Sequence, residues 1–64
     1  MKRNEVRKEA EARQLGKVHF QLNTAKNTGE RFEAGYVFKG GEWVLFCKCQ
    51  DEDEGFYLCN EFAV

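Results

Sequence analysis

The sequence predicts an α+β fold, one N-terminal helix followed by a four-stranded antiparallel meander over residues 1–64 as a single domain. Three observations predict it. Residues 31–50, RFEAGYVFKGGEWVLFCKCQ, fold back on themselves about Gly40-Gly41. Residues 17–22 alternate apolar and polar positions with the period of two that marks a half-buried strand, and residues 56–63 set Phe56, Leu58 and Phe62 at even spacing on one face of a last strand. Residues 4–15 carry charges of opposite sign four apart, on a segment rich in helix formers.

The helix comes first. Asn4 is a suitable N-cap, Glu5 suits the first turn, and Gly16 is placed to stop the helix. Arg7/Glu11 and Glu9/Arg13 are i,i+4 ion pairs, each worth a few tenths of a kcal/mol. Its apolar content is thin, with Val6 and Ala10 on one side and Ala12 and Leu15 on another. The first strand, 17–22, points Val18, Phe20 and Leu22 inward and His19 outward with Lys17 and Gln21. The polar loop NTAKNTGE follows.

The central hairpin specifies its register. Paired glycines supply the positive φ that favoured two-residue turns need. Lys39 then faces Glu42, Phe38 faces Trp43, Val37 faces Val44 and Tyr36 faces Leu45, with Ala34 opposite Cys47, Glu33 opposite Lys48 and Phe32 opposite Cys49. The strands run over 31–39 and 42–50. One face carries Phe32, Ala34, Tyr36, Phe38, Trp43, Leu45, Cys47 and Cys49, and is expected to be the core. The other carries Val37, Val44 and Phe46 inside a rim of charges. An acidic turn, QDEDEG, leads into the last strand, 56–63, with Phe56, Leu58 and Phe62 inward.

This arrangement leaves an imbalance. Phe20, Phe32, Tyr36, Phe38 and Trp43 need cover, and the helix offers Val6 and Leu15. Each large side chain left in water forfeits about 1.5–3 kcal/mol. The sheet is therefore expected to curl into a small barrel, bending at Gly35 and Gly40-Gly41, or to pack against a second chain.

Composition narrows the function classes. A chain of 64 residues buries only about 60% of its unfolded surface, which leaves little volume for an enclosed cofactor site. No segment approaches the roughly 18 apolar residues of a membrane span. The odd count of three cysteines, without an apolar leader, argues against a disulfide scaffold and for a reducing, cytoplasmic setting. Charge is unevenly spread. Residues 1–17 hold six basic and three acidic side chains, net +3, and residues 42–64 hold one basic and six acidic, net −5.

The candidate constellations are few. Cys47-x-Cys49 with Cys59 and His19 has the ligand types of a zinc-stabilised module. The spacing on one strand is not that of a structural zinc site, and no metal or cofactor is expected. The chain has no serine, so a serine nucleophile is excluded, and no Cys–His spacing marks a catalytic pair. Asp51, Glu52, Asp53 and Glu54 lack the ligand alternation of a calcium loop. Arg3, Arg7, Lys8 and Arg13 are the footprint a nucleic-acid partner would use, with Glu5, Glu9 and Glu11 interspersed against it.

The reading is a small non-enzymatic regulatory module that acts by protein–protein contact or as a homodimer. A phage or mobile-element modulator of a larger host protein is the expected setting for a module of this kind. The expected contact patch is Val37, Val44 and Phe46, flanked by Glu33 and Lys48, unless the helix covers that face. Nucleic-acid binding through the basic helix is the alternative.

Overall fold

The computed structural model describes residues 1–51, 53–59, 61 and 62. Helix α1 spans Arg3–Ala12, and the strands are β1 His19–Thr24, β2 Arg31–Lys39, β3 Glu42–Asp51 and β4 Gly55–Leu58. They form one antiparallel sheet in the order β1-β2-β3-β4. The meander is as predicted. The sheet stays open, because β1 and β4 are its two edges and do not pair with each other. No helix among the described residues is long and apolar enough to cross a membrane.

The helix begins one residue before the predicted start and is capped by Lys2 instead of Asn4. A lysine side chain has no acceptor, so only the return half of a capping box forms, in which the Lys2 N–H donates to Glu5 Oε1 at 2.8 Å. The helix ends at Ala12, short of Gly16. Gln14 takes the left-handed conformation at φ 60°. Its N–H donates to the Glu11 carbonyl at 3.0 Å, and the Leu15 N–H donates to the Ala10 carbonyl at 2.9 Å. This is a Schellman stop with glutamine where glycine is usual. Gln14→Gly is therefore expected to stabilise the domain by about 0.5–1 kcal/mol, less the entropy cost of a new glycine, and a rise in urea midpoint would show it.

The hairpin turn is the predicted one, with Gly40 at φ 62° and Gly41 at φ 83°. Lys39↔Glu42, Phe38↔Trp43, Val37↔Val44 and Tyr36↔Leu45 pair as expected. Beyond Tyr36 the register departs from prediction, since Gly35 opposes Cys47 and Ala34 opposes Lys48. Phe46 is the extra residue of a β-bulge. The bulge puts Phe46 and its neighbour Cys47 both out of solvent. Gly35 makes room for it. A Cβ there would lie 2.6 Å from Cys47 Sγ and 2.9 Å from Val18 Cγ1.

The bulge also separates Lys48 from Glu33. Lys48 lies over the Phe32 ring, its Nζ 5.5 Å from the centroid. Glu33 instead accepts two bonds from Arg3 Nε, at 3.2 and 3.1 Å, and one from Nη2 at 2.5 Å, tying the helix to β2.

The core lies on the face opposite to the expected one. Val6 and Ala10 of the helix cluster with Val37, Phe46, Cys47, Phe56 and Phe62, all nearly or wholly shielded from solvent. Phe46 and Phe62 meet edge to face at 5.0 Å, and Phe20 and Phe56 are 5.3 Å apart. Val6 and Ala10 are small, so α1 can lie close over Val37 and the small Gly35–Cys47 crossing. Of the five large rings expected in the core, it packs over Phe20 and has nothing with which to cover Phe32, Tyr36, Phe38 and Trp43.

The outer strands are shorter or shifted. β1 runs two residues later than the predicted 17–22, and Leu22, expected inward, is 61% exposed. β4 stops at Leu58. The predicted strand continues through Asn60 and Ala63, which lie outside the described residues, as does Glu52 of the acidic turn. Past β4 the Cys59 N–H donates to the Phe46 carbonyl at 2.9 Å, and the Phe62 N–H to the Cys59 carbonyl at 2.7 Å, which brings Phe62 into the core. Along the outer side of β4, Phe56 N–H donates to the Met1 carbonyl at 2.6 Å and the Met1 ammonium donates to the Phe56 carbonyl at 2.8 Å. Gly55, at φ 76°, permits this approach, since a Cβ there would run into the Met1 carbonyl.

Candidate interaction face

Strand alternation and pairing place His19, Gln21 and Asn23 of β1 on the face away from the helix. Phe32, Ala34, Tyr36 and Phe38 of β2 share that face, as do Trp43, Leu45 and Lys48 of β3 and Tyr57 of β4. Nothing covers it. Phe38 is 55%, Trp43 56% and Tyr57 45% exposed, whereas Val37 and Phe46 are fully buried.

These rings form an ordered array. Phe38 and Trp43, directly opposite across the hairpin, meet edge to face at 5.3 Å. His19 lies on the other side of Trp43 at 5.8 Å. Beside them runs a polar row, in which Gln21 Nε2 donates to Asn23 Oδ1 at 2.7 Å and Asn23 Nδ2 donates to the Tyr36 hydroxyl at 2.6 Å. His19, Gln21, Tyr36 and Trp43 line a shallow depression of about 390 Å³. The carboxylates of the described strand residues are each accounted for near or off this face. Glu33 is engaged by Arg3 and Glu42 sits opposite Lys39 on the helix side, while the Asp51 carboxylate accepts the Glu54 N–H at 2.6 Å.

Each sequence-based candidate can now be placed. As an exposed patch, Val37, Val44 and Phe46 must be corrected. Val37 and Phe46 are core beneath the helix and Val44 is half-buried against them. The bulge also sends their expected neighbours Glu33 and Lys48 to opposite sides. Of the basic footprint, Arg3 is held by Glu33 and Arg13 by Glu9 at 3.0 Å, and Arg7 lies over the Phe20 ring at 5.2 Å in place of the predicted pair with Glu11. Lys8 is exposed.

The cysteines are free thiols. Cys47 is buried, and burial pushes its thiol up to about 11. Burial raises that of Cys59 as well. A thiol kept protonated is a poor nucleophile and a poor metal ligand. Cys47 and Cys49 share the helix side of the sheet, as predicted from their spacing, and His19 lies on the other side. No three metal-ligating side chains gather among the described residues.

The exposed face was missed because its aromatic residues were taken as core. The available signal was the size of the helix stripe, which two small residues cannot extend over that many rings. Comparison of the chain with protein-family models, curated proteins and solved structures finds no match.

Proposed function

We propose that the chain is a small non-enzymatic regulatory module that binds a protein partner through the open face of its sheet. One observation carries the reading. A domain short of apolar cover leaves Phe38 and Trp43 more than half exposed, in edge-to-face contact and flanked by His19. Aromatic anchors within a polar surround are the composition of interface centres, where tryptophan and tyrosine carry a disproportionate share of binding energy. The amide row of Gln21 and Asn23 supplies orienting hydrogen bonds beside them. The nucleic-acid reading through Arg3, Arg7, Lys8 and Arg13 has less support, because two of the four charges are already ion-paired.

The test compares wild type with Trp43→Ala in affinity capture from the native host. Truncation of a central aromatic is expected to cost at least about 2 kcal/mol, roughly thirtyfold in retention of the captured protein. The fold should survive, since Trp43 lies outside the core cluster. Equal capture by the variant, or salt-sensitive retention of nucleic acid in place of protein, would overturn the proposal.

A further inference from the structure

The two edges of the sheet are treated differently. On the β4 side, Met1 pairs its backbone with Phe56 in both directions and closes the edge. On the β1 side, no backbone or side-chain hydrogen bond from the described residues reaches the outer edge of His19–Thr24. Folded proteins blunt such edges with lysine, proline, a bulge or a covering segment, because a free row of N–H and C=O groups recruits another strand. β1, HFQLNT, has none of these devices. Its flanking charges, Lys17 and Lys26, lie outside the strand.

We infer that β1 is a homodimerisation edge, on which a second copy's β1 adds antiparallel about a two-fold axis normal to the sheet. Self-complementarity selects a second copy as the occupant. In such a pair the two open faces lie on the same side, so residues of equal parity must oppose. Centred on Gln21, Phe20 falls beside the copy's Leu22 on the helix side, and His19 beside the copy's Asn23 on the open face. Apolar positions meet apolar and polar meet polar, with no like charges opposed. Leu22, the most exposed large apolar side chain at 61%, gains a neighbour in Phe20 of the copy. The product is a continuous eight-stranded sheet whose ends are the two edges closed by Met1. It sets two copies of the Phe38–Trp43 face side by side. His19, Gln21 and Asn23 border both surfaces, but the dimer forms through the β1 backbone edge and does not use Phe38 or Trp43, so self-association and capture of a partner are read separately.

Sedimentation equilibrium of wild type should give twice the chain mass of 7.5 kDa, with a dissociation that dilution reveals. Gln21→Lys and Gln21→Glu each place like charges opposite one another at the axis. Each is expected to weaken self-association by about tenfold or more, since such pairs destabilise a ladder. The exposed Gln21 makes these changes safe for the fold, which circular dichroism checks. An equimolar mixture of the two variants should recover the dimer mass as a heterodimer. Trp43→Ala should dimerise like wild type. Wild type that remains monomeric at millimolar concentration, a mixture that fails to recover, or a dimer lost in Trp43→Ala and kept in Gln21→Lys would each overturn the assignment.

Discussion

Phe46→Ala is expected to bring the domain to the midpoint of unfolding, or past it, at room temperature without denaturant. Phe46 is the largest fully buried side chain, packed edge to face on Phe62 inside a cluster of seven residues. Truncating a buried phenylalanine costs about 3–5 kcal/mol. A core of this size supplies net stability of about the same magnitude. Phe46→Glu should act still more strongly, because it leaves an unpaired charge in a core where no polar side chain among the described residues is buried. Far-ultraviolet circular dichroism with a urea titration reads both variants. Trp43→Ala, three residues nearer the turn and on the other face, serves as the control that keeps its cooperative transition. Cooperative unfolding of Phe46→Glu near the wild-type midpoint would return the Val37/Val44/Phe46 face to the surface.

Gly35→Ala should be the second severe lesion, although it adds a single methyl group. The new Cβ would stand 2.6 Å from Cys47 Sγ and 2.9 Å from Val18 Cγ1, with Phe20 Cε1 at 3.4 Å. Neither close neighbour is the free end of a flexible chain, since one belongs to a fully buried thiol and the other to a stiff β-branched residue packed on the core. Overpacking of this kind costs about 1–3 kcal/mol. A double-mutant cycle with Cys47→Ala isolates the cause. Removing the sulfur relieves the shortest contact, so the double variant should be more stable than the sum of the single losses by at least about 0.5 kcal/mol. Additive losses would mean that the crossing of β2 and β3 is looser than its geometry.

The same two positions separate what the sequence discloses from what it hides. The hairpin turn and the four pairs next to it were legible because Gly40-Gly41 set a local register that alternation then extends. Extension fails at Gly35, where a glycine inside a strand pattern is the mark of a bulge. Once Phe46 is slipped in, the parity of β3 changes, and the predicted partners Ala34–Cys47, Glu33–Lys48 and Phe32–Cys49 fall out of step. Choice of core face was hidden for a different reason. A two-sided apolar hairpin looks the same from either side. The decision belongs to the helix, whose Val6–Ala10 stripe fits a floor of valine, cysteine and glycine better than one of tryptophan and tyrosine. The stop at Gln14 was unreadable because it rests on a backbone conformation that glutamine rarely adopts.

The bulge divides the ladder in time as well as in space. From the Gly40-Gly41 turn to Tyr36–Leu45, each cross-strand contact closes only a short loop, so these four pairs can zip within the roughly 1–10 μs of an isolated hairpin. At Phe46 the zipper meets a residue with no partner across the strand. Its reward comes from Val6, Ala10 and Phe62, near the two ends of the chain. The contacts with the helix close far longer loops than any pair of the hairpin, at a correspondingly larger entropy cost. The transition state for folding should therefore be polarised. The turn-side half of the hairpin would be formed early, and the half beyond the bulge would wait for the helix and the Cys59–Phe62 turn to arrive together.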